Sequence, residues 1–121
     1  MNSIVKYFTI LLIFLPIACK NKDTSISLIQ EEDLDLQMIA AYEEGMQELE
    51  DGDAILAAKK FNEAELLYPQ SLWAPRSSLM AAYAYYSQLY YDDAIRELER
   101  FLKTYPNHIR KDYAYYLLGM T

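Results

Sequence analysis

Four kinds of side chain in this 121-residue sequence have the types and spacing for chemistry: one thiol, one imidazole, eighteen carboxylates, and tyrosines that share helix faces with arginine. Cys19 is the sole cysteine, so its thiol is available for modification but not for an intrachain disulfide. His108 is the sole histidine and follows Pro106 in a turn, which supports neither a histidine metal cluster nor a Ser-His-Asp arrangement. Glu43, Glu44, Glu48 and Glu50 have the spacing of a solvated helix face, and three glycines supply no phosphate-cradling loop. The expectation is a protein without catalytic residues, metal or cofactor. Its chemistry is then recognition, carried by Tyr42, Met46, Arg76, Leu79, Tyr83, Tyr86, Tyr113 and Tyr116.

At the N-terminus, Lys6 precedes an apolar run from Tyr7 to Leu15, which ends at Pro16-Ile17-Ala18-Cys19. The run has signal-peptide length and is short for a permanent span. A small residue directly before the lone cysteine resembles the lipobox of bacterial lipoproteins, although Leu15 stands one place early and Pro16 takes its position. The resemblance implies a signal peptide over 1–18, cleavage between Ala18 and Cys19, and a covalent lipid on the Cys19 thiol. Lys20 follows the cysteine, where inner-membrane lipoproteins of this kind commonly have Asp, which implies delivery to the periplasmic face of the outer membrane. Each buried methylene is worth about 0.8 kcal/mol and one chain holds marginally, so stable anchoring requires several acyl chains.

Residues 19–33 are read as a lipidated flexible tether, whose polar stretch could reach about 40 Å when extended. Loss of 1–18 removes only Lys6 among charged side chains, leaving ten basic against eighteen acidic. That balance argues against nucleic acid as a partner.

Downstream, landmarks recur at an offset of 37 residues: Ala57 and Ala94, Phe61 and Leu98, Ala64 and Phe101, Tyr68-Pro69 and Tyr105-Pro106. The same offset carries Gly45 to Ala82 to Gly119, and Tyr42 to Leu79 to Tyr116. Small residues at helix crossings with Pro after the second helix match the tetratricopeptide pattern. The expected fold is all-α: a tetratricopeptide-repeat solenoid of antiparallel helix pairs over 34–121, with two repeats and the first helix of a third. Helices are expected over about Leu34–Glu50, from Asp53 to before Pro69, over Leu72–Tyr90 with Ser71 as cap, from Asp92 to Lys103, and from Lys111 onward. Gly52 and Asp53 should form the first turn. The fifth helix is apolar at Leu117, Leu118 and Met120 with nothing following to cover it, which predicts that the array continues beyond Thr121.

In such stacks the first helix of each pair lines the concave side. That register places Ile39, Tyr42, Met46 and Leu49 there, then Arg76, Leu79, Tyr83 and Tyr86, then Tyr113, Tyr116 and Met120. An aromatic, apolar groove with a cation suits an extended or C-terminal peptide, with Arg76 meeting a carboxylate. Against this stands ordinary packing, because nine of twelve tyrosines lie between Tyr83 and Tyr116 where repeats two and three meet.

The run Tyr68-Pro69-Gln70-Ser71-Leu72-Trp73-Ala74-Pro75-Arg76, the run Ala94-Ile95-Arg96-Glu97-Leu98-Glu99-Arg100-Phe101, and Asp112-Tyr113-Ala114-Tyr115-Tyr116-Leu117 are more specific than a generic repeat. With the lipobox they resemble the BamD family, lipoproteins of the outer-membrane β-barrel assembly machinery. The resemblance implies a periplasmic scaffold that partners BamA and other machinery subunits and receives unfolded outer-membrane barrel proteins. It implies about five repeats in a whole member, with clients at the N-terminal repeats and BamA docked by the C-terminal ones. A second reading is a cell-envelope and division repeat protein of the CpoB kind, which also uses Tyr-Pro-x-Ser turns. A third, a lipoprotein hydrolase, requires a further domain after Thr121.

Overall fold

The computed structural model describes the backbone of residues 24–121 and the side-chain surroundings of residues 33–121. The signal peptide over 1–18, the Ala18–Cys19 junction and residues 19–23 of the tether lie outside the described residues. Among the described residues there are five helices and no strand: α1 Thr24–Glu50, α2 Ala54–Leu67, α3 Ala74–Ser87, α4 Tyr91–Thr104 and α5 Lys111–Met120. Each packs chiefly against its neighbours in the chain, as a repeat stack requires.

Helix α1 starts at Thr24 rather than at Leu34, so the backbone over 24–33 is helical where the sequence suggested an irregular tether. No Pro or Gly stands between Thr24 and Glu44, and nothing in the backbone chemistry stops the helix there. Helix α3 starts at Ala74, two residues after the expected Leu72. The cap position is Trp73, without a side-chain cap bond, rather than Ser71, whose Oγ accepts the Ala74 N–H at 3.1 Å in the preceding turn; Pro75 occupies the first turn, where a missing N–H costs least.

The turns after α1 and α3 share one construction. Gly52 sits at φ 85°, the Asp53 N–H donates to the Glu48 carbonyl at 2.9 Å, and the Asp53 side chain accepts from the Leu56 N–H at 2.9 Å. One repeat later Leu89 holds the same place at φ 66°, with the Tyr90 N–H donating to the Tyr85 carbonyl at 3.0 Å. A leucine in the left-handed region carries a steric cost that Gly52 avoids. The repeat therefore dictates the turn even where its residue is unfavourable.

Two phenylalanines fill the core. Phe61 lies among Ala57, Ala58, Ala81 and Ala84, with Tyr42 and Met46 of α1 packed onto the same cluster. Phe101 lies among Leu79, Ala82, Leu98, Ala114 and Leu117. Both rings are fully buried. Gly45 is small for a visible reason: a Cβ there would stand 2.9 Å from Phe61 Cδ1 and Cε1, so α1 reaches the ring only as glycine.

A polar lock joins α2 to α4. Arg100 donates to both oxygens of Glu65, from Nη1 to Oε1 at 3.0 Å and from Nη2 to Oε2 at 2.7 Å. It also reaches Glu97, Asn62 and Ser78, while the Tyr105 hydroxyl donates to Glu65 Oε1 at 2.7 Å. The Glu65 side chain is 8% exposed, so these donors take the place of the water its oxygens lose. Burial works against the Arg100 charge, but the hydrogen bonds and charges of Glu65 and Glu97 outweigh it and raise its pKa above the ordinary arginine value. Burial first, then the bond to Glu65 and its charge, raise the Tyr105 pKa, with Arg100 pulling the other way. This lock joins the first and second helix pairs through α2, α3 and α4.

Candidate peptide-binding groove

Helix α1 contributes Tyr42 and Met46, four residues apart on one face, and α3 contributes Arg76, Leu79, Met80 and Tyr83 at helical spacing. Arg110, in the cap position of α5, and Tyr113, one turn later, close the far side. Together they line a cavity of about 370 Å³. That lies at the small end for ligand pockets and suits a few side chains.

The walls are held from behind. Tyr42 packs edge-on against buried Phe61, ring centroids 5.2 Å apart, and edge-on against Trp73 at 5.3 Å. Leu79 is buried and forms the floor. Tyr113 stacks on Tyr116 at 6.3 Å, and burial, then the nearby Tyr83, Tyr86 and Tyr116, raise the Tyr113 pKa while Arg110 lowers it. The Tyr113 phenol stays a neutral donor at physiological pH.

The two groove cations differ from the other described arginines, Arg96 and Arg100, which are ion-paired. Arg76 lies over the Trp73 ring, its Cζ 4.9 Å from the centroid. Both Arg76 and Arg110 are exposed, and among the described residues neither guanidinium has a carboxylate within ion-pair distance. The groove thus offers aromatic and thioether surface with two uncommitted cations, a match for an extended segment bearing rings and a carboxylate. Among the described residues no three His, Cys, Asp or Glu side chains converge as metal ligands. His108 accepts the Arg110 N–H at Nδ1 and packs edge-on to Phe101, a turn residue by its contacts.

Six of the eight expected groove residues meet here: Tyr42, Met46, Arg76, Leu79, Tyr83 and Tyr113. Tyr86 does not line the cavity. Two turns beyond Leu79, it has reached the level where α5 covers α3, and it packs on the Phe101 cluster and against Tyr91 at 6.1 Å. Tyr116 also lies off the cavity, 60% exposed on the outer side of Tyr113, because none of the described helices covers that side of α5. Ile39 faces a separate shallow pocket beside Tyr68, Leu72 and Trp73.

Sequence reasoning missed Met80 and Arg110. Met80 adjoins the expected stripe and also packs on the Phe61 cluster. Arg110 sits in a turn, outside any helical period; its place three residues before Tyr113 was the available signal.

A helical repeat stack with an open groove beside its leading helices α1, α3 and α5 is the class that this fold defines. Residues 34–121 match the family YfiO, described as outer membrane lipoprotein. The chain is 34% identical over 99 residues to the outer membrane protein assembly factor BamD of Caulobacter vibrioides, covering 82% of this chain and 32% of that protein. It is 38% identical over 79 residues to the BamD of Neisseria gonorrhoeae, covering 65% of this chain and 30% of that one. With the Rickettsia prowazekii BamD it shares 28% over 103 residues, covering 85% and 39%. The chain belongs to the YfiO family of outer membrane lipoproteins. It spans about a third of the length of these relatives and corresponds to their N-terminal region. Among the described residues no helix is long and apolar enough to cross a membrane.

Proposed function

We propose that the chain is a non-enzymatic scaffold of outer-membrane protein assembly, held to the periplasmic face of the outer membrane by a lipid on Cys19, whose groove receives segments of unfolded barrel proteins. The observation that carries the groove reading is the pair of arginines, Arg76 and Arg110, without carboxylate partners among the described residues, beside Tyr42, Tyr83 and Tyr113 in a chain of net charge −7. Free guanidinium groups amid an acidic excess are positioned for an incoming anion, and the ring-rich walls add sequence-tolerant stacking. The names of the relatives support the process, outer membrane protein assembly. BamA and other machinery subunits are the partners this reading calls for.

Fluorescence anisotropy with a labelled peptide ending in Phe tests the groove. The wild type should bind, and Tyr83→Ala with Arg76→Ala should lower affinity about tenfold or more, the scale of one lost charge-assisted bond with one lost aromatic contact. Equal binding by wild type and the double variant removes the groove from the proposal. Mass spectrometry of membrane fractions tests the anchor: a Cys19→Ser variant that is still acylated would contradict it.

A further inference from the structure

The groove has two cations, and only one of them is held. Arg76 is the third residue of α3 and Trp73 the residue just before that helix, so one helical turn brings the guanidinium over the indole. Trp73 is in turn fixed edge-on by Tyr42, and Tyr42 by the fully buried Phe61. The line Phe61, Tyr42, Trp73, Arg76 therefore runs from the core of the first repeat to the mouth of the groove. Arg110 has no aromatic face beneath it among the described residues.

We propose that Trp73 is a positioning residue that sets Arg76 for a ligand carboxylate, and thereby the specificity of the groove for a free carboxylate over a neutral end. This inference rests on the groove being the binding site. A carboxylate partner would also fix an arginine, but would occupy the same N–H donors that a ligand needs. An aromatic face fixes the guanidinium plane through its π surface and leaves the in-plane donors free. The side chain is thus ordered before binding, and less rotamer freedom is lost when the carboxylate arrives. Arg110, lacking that support, attracts anions without setting their geometry.

The test uses the full chain and two decapeptides of one sequence ending in Phe, one with a free C-terminal carboxylate and one amidated. The wild type should prefer the free acid by about tenfold, the scale of one oriented charge-assisted pair. In W73L that preference should fall to within about twofold while the amide peptide binds as before; W73F, which keeps a π face, should retain most of it. Arg76→Ala should likewise lose the preference for the free acid. A W73L variant that keeps the full preference overturns the positioning role and leaves the groove standing. A wild type that binds neither peptide overturns the groove and this inference with it. A readout independent of variant folding is the ring-current shift of the Arg76 Cδ protons in the free wild type: the stack requires them upfield, and ordinary shifts overturn it.

Discussion

Arg100 and Arg76 stand on consecutive helices and live in opposite electrical surroundings. Arg100 lies toward the C-terminal end of α4, where a positive charge is favoured by the macrodipole, and Glu65, Glu97 and Asn62 take its donors. Arg76 lies in the first turn of α3, where a positive charge is disfavoured, with an indole for support and no described carboxylate in reach. Arg110, at the cap position of α5, repeats that unfavourable placement. One region thus directs its donors to internal acceptors and ties α2 to α4; the other leaves donors unspent and faces a cavity. A local rule broken without internal compensation marks the place where compensation comes from outside.

Breaking the lock should have the largest effect on folding. Glu65→Ala removes a buried acceptor and strands Arg100 and the Tyr105 hydroxyl; with partial exposure of Arg100 softening the loss, unfolding free energy should fall by about 2–3 kcal/mol. The midpoint of urea denaturation measures it, and an unchanged midpoint would reduce the lock to surface decoration.

Next in size is Gly45→Ala, which touches the groove wall from behind. The new methyl would meet Phe61 carbons at 2.9 Å, and displacing a fully buried ring should cost about 1–2 kcal/mol after the gain in helix propensity is counted. At the matching position in α5, Gly119→Ala meets nothing within 4 Å and should be neutral or slightly stabilising. Equal melting shifts for the two variants would mean that Phe61 does not fill the crossing as described.

Tyr105→Phe sharpens the account of the lock through pH. At neutral pH it should cost about 1 kcal/mol for the bond to Glu65. The folded-state pKa of the Tyr105 phenol lies above its ordinary value of 10.0, so its contribution is fully present below that pH and is lost as pH rises toward the folded value. Wild-type stability should therefore decline more steeply than that of the variant above about pH 10, and the gap between them should close. A gap that stays constant or widens on alkaline titration would separate Tyr105 from the lock.

The difference in legibility between the two regions follows from how each is built. The helices, the Gly52-Asp53 turn and the shared cavity face of six residues were readable because helix faces and turns are local: a period, a cap and a glycine suffice. Glu65 and Arg100 lie 35 residues apart with no periodic relation, so nothing local in the sequence pairs them. Arg110 escaped for a related reason, since a turn residue has no stripe to belong to. Tyr86 and Tyr116 were placed by register alone, and register fixes a helix face without fixing how far along it the next helix lands. The early start of α1 was hidden because polar composition resembles a tether, while the absence of helix breakers was the better guide.

The smallest stability effect carries the most meaning. Arg76→Ala loses a stack worth about 0.5–1 kcal/mol at an exposed site. It also removes a cation from a helix N-terminus, a gain of about 0.3–1 kcal/mol, and places the best helix former in α3. These terms nearly cancel, so the unfolding free energy should move by less than about 0.5 kcal/mol while binding of a carboxylate-terminated peptide weakens. The same substitution at Arg100 should cost several times as much in stability. If Arg76→Ala instead destabilises as Arg100→Ala does, the contrast between a committed and an uncommitted arginine collapses, and Arg76 is a structural residue whose partner has yet to be found. If stability holds and binding falls, the fold keeps this cation against its own helix dipole for the sake of what enters the groove.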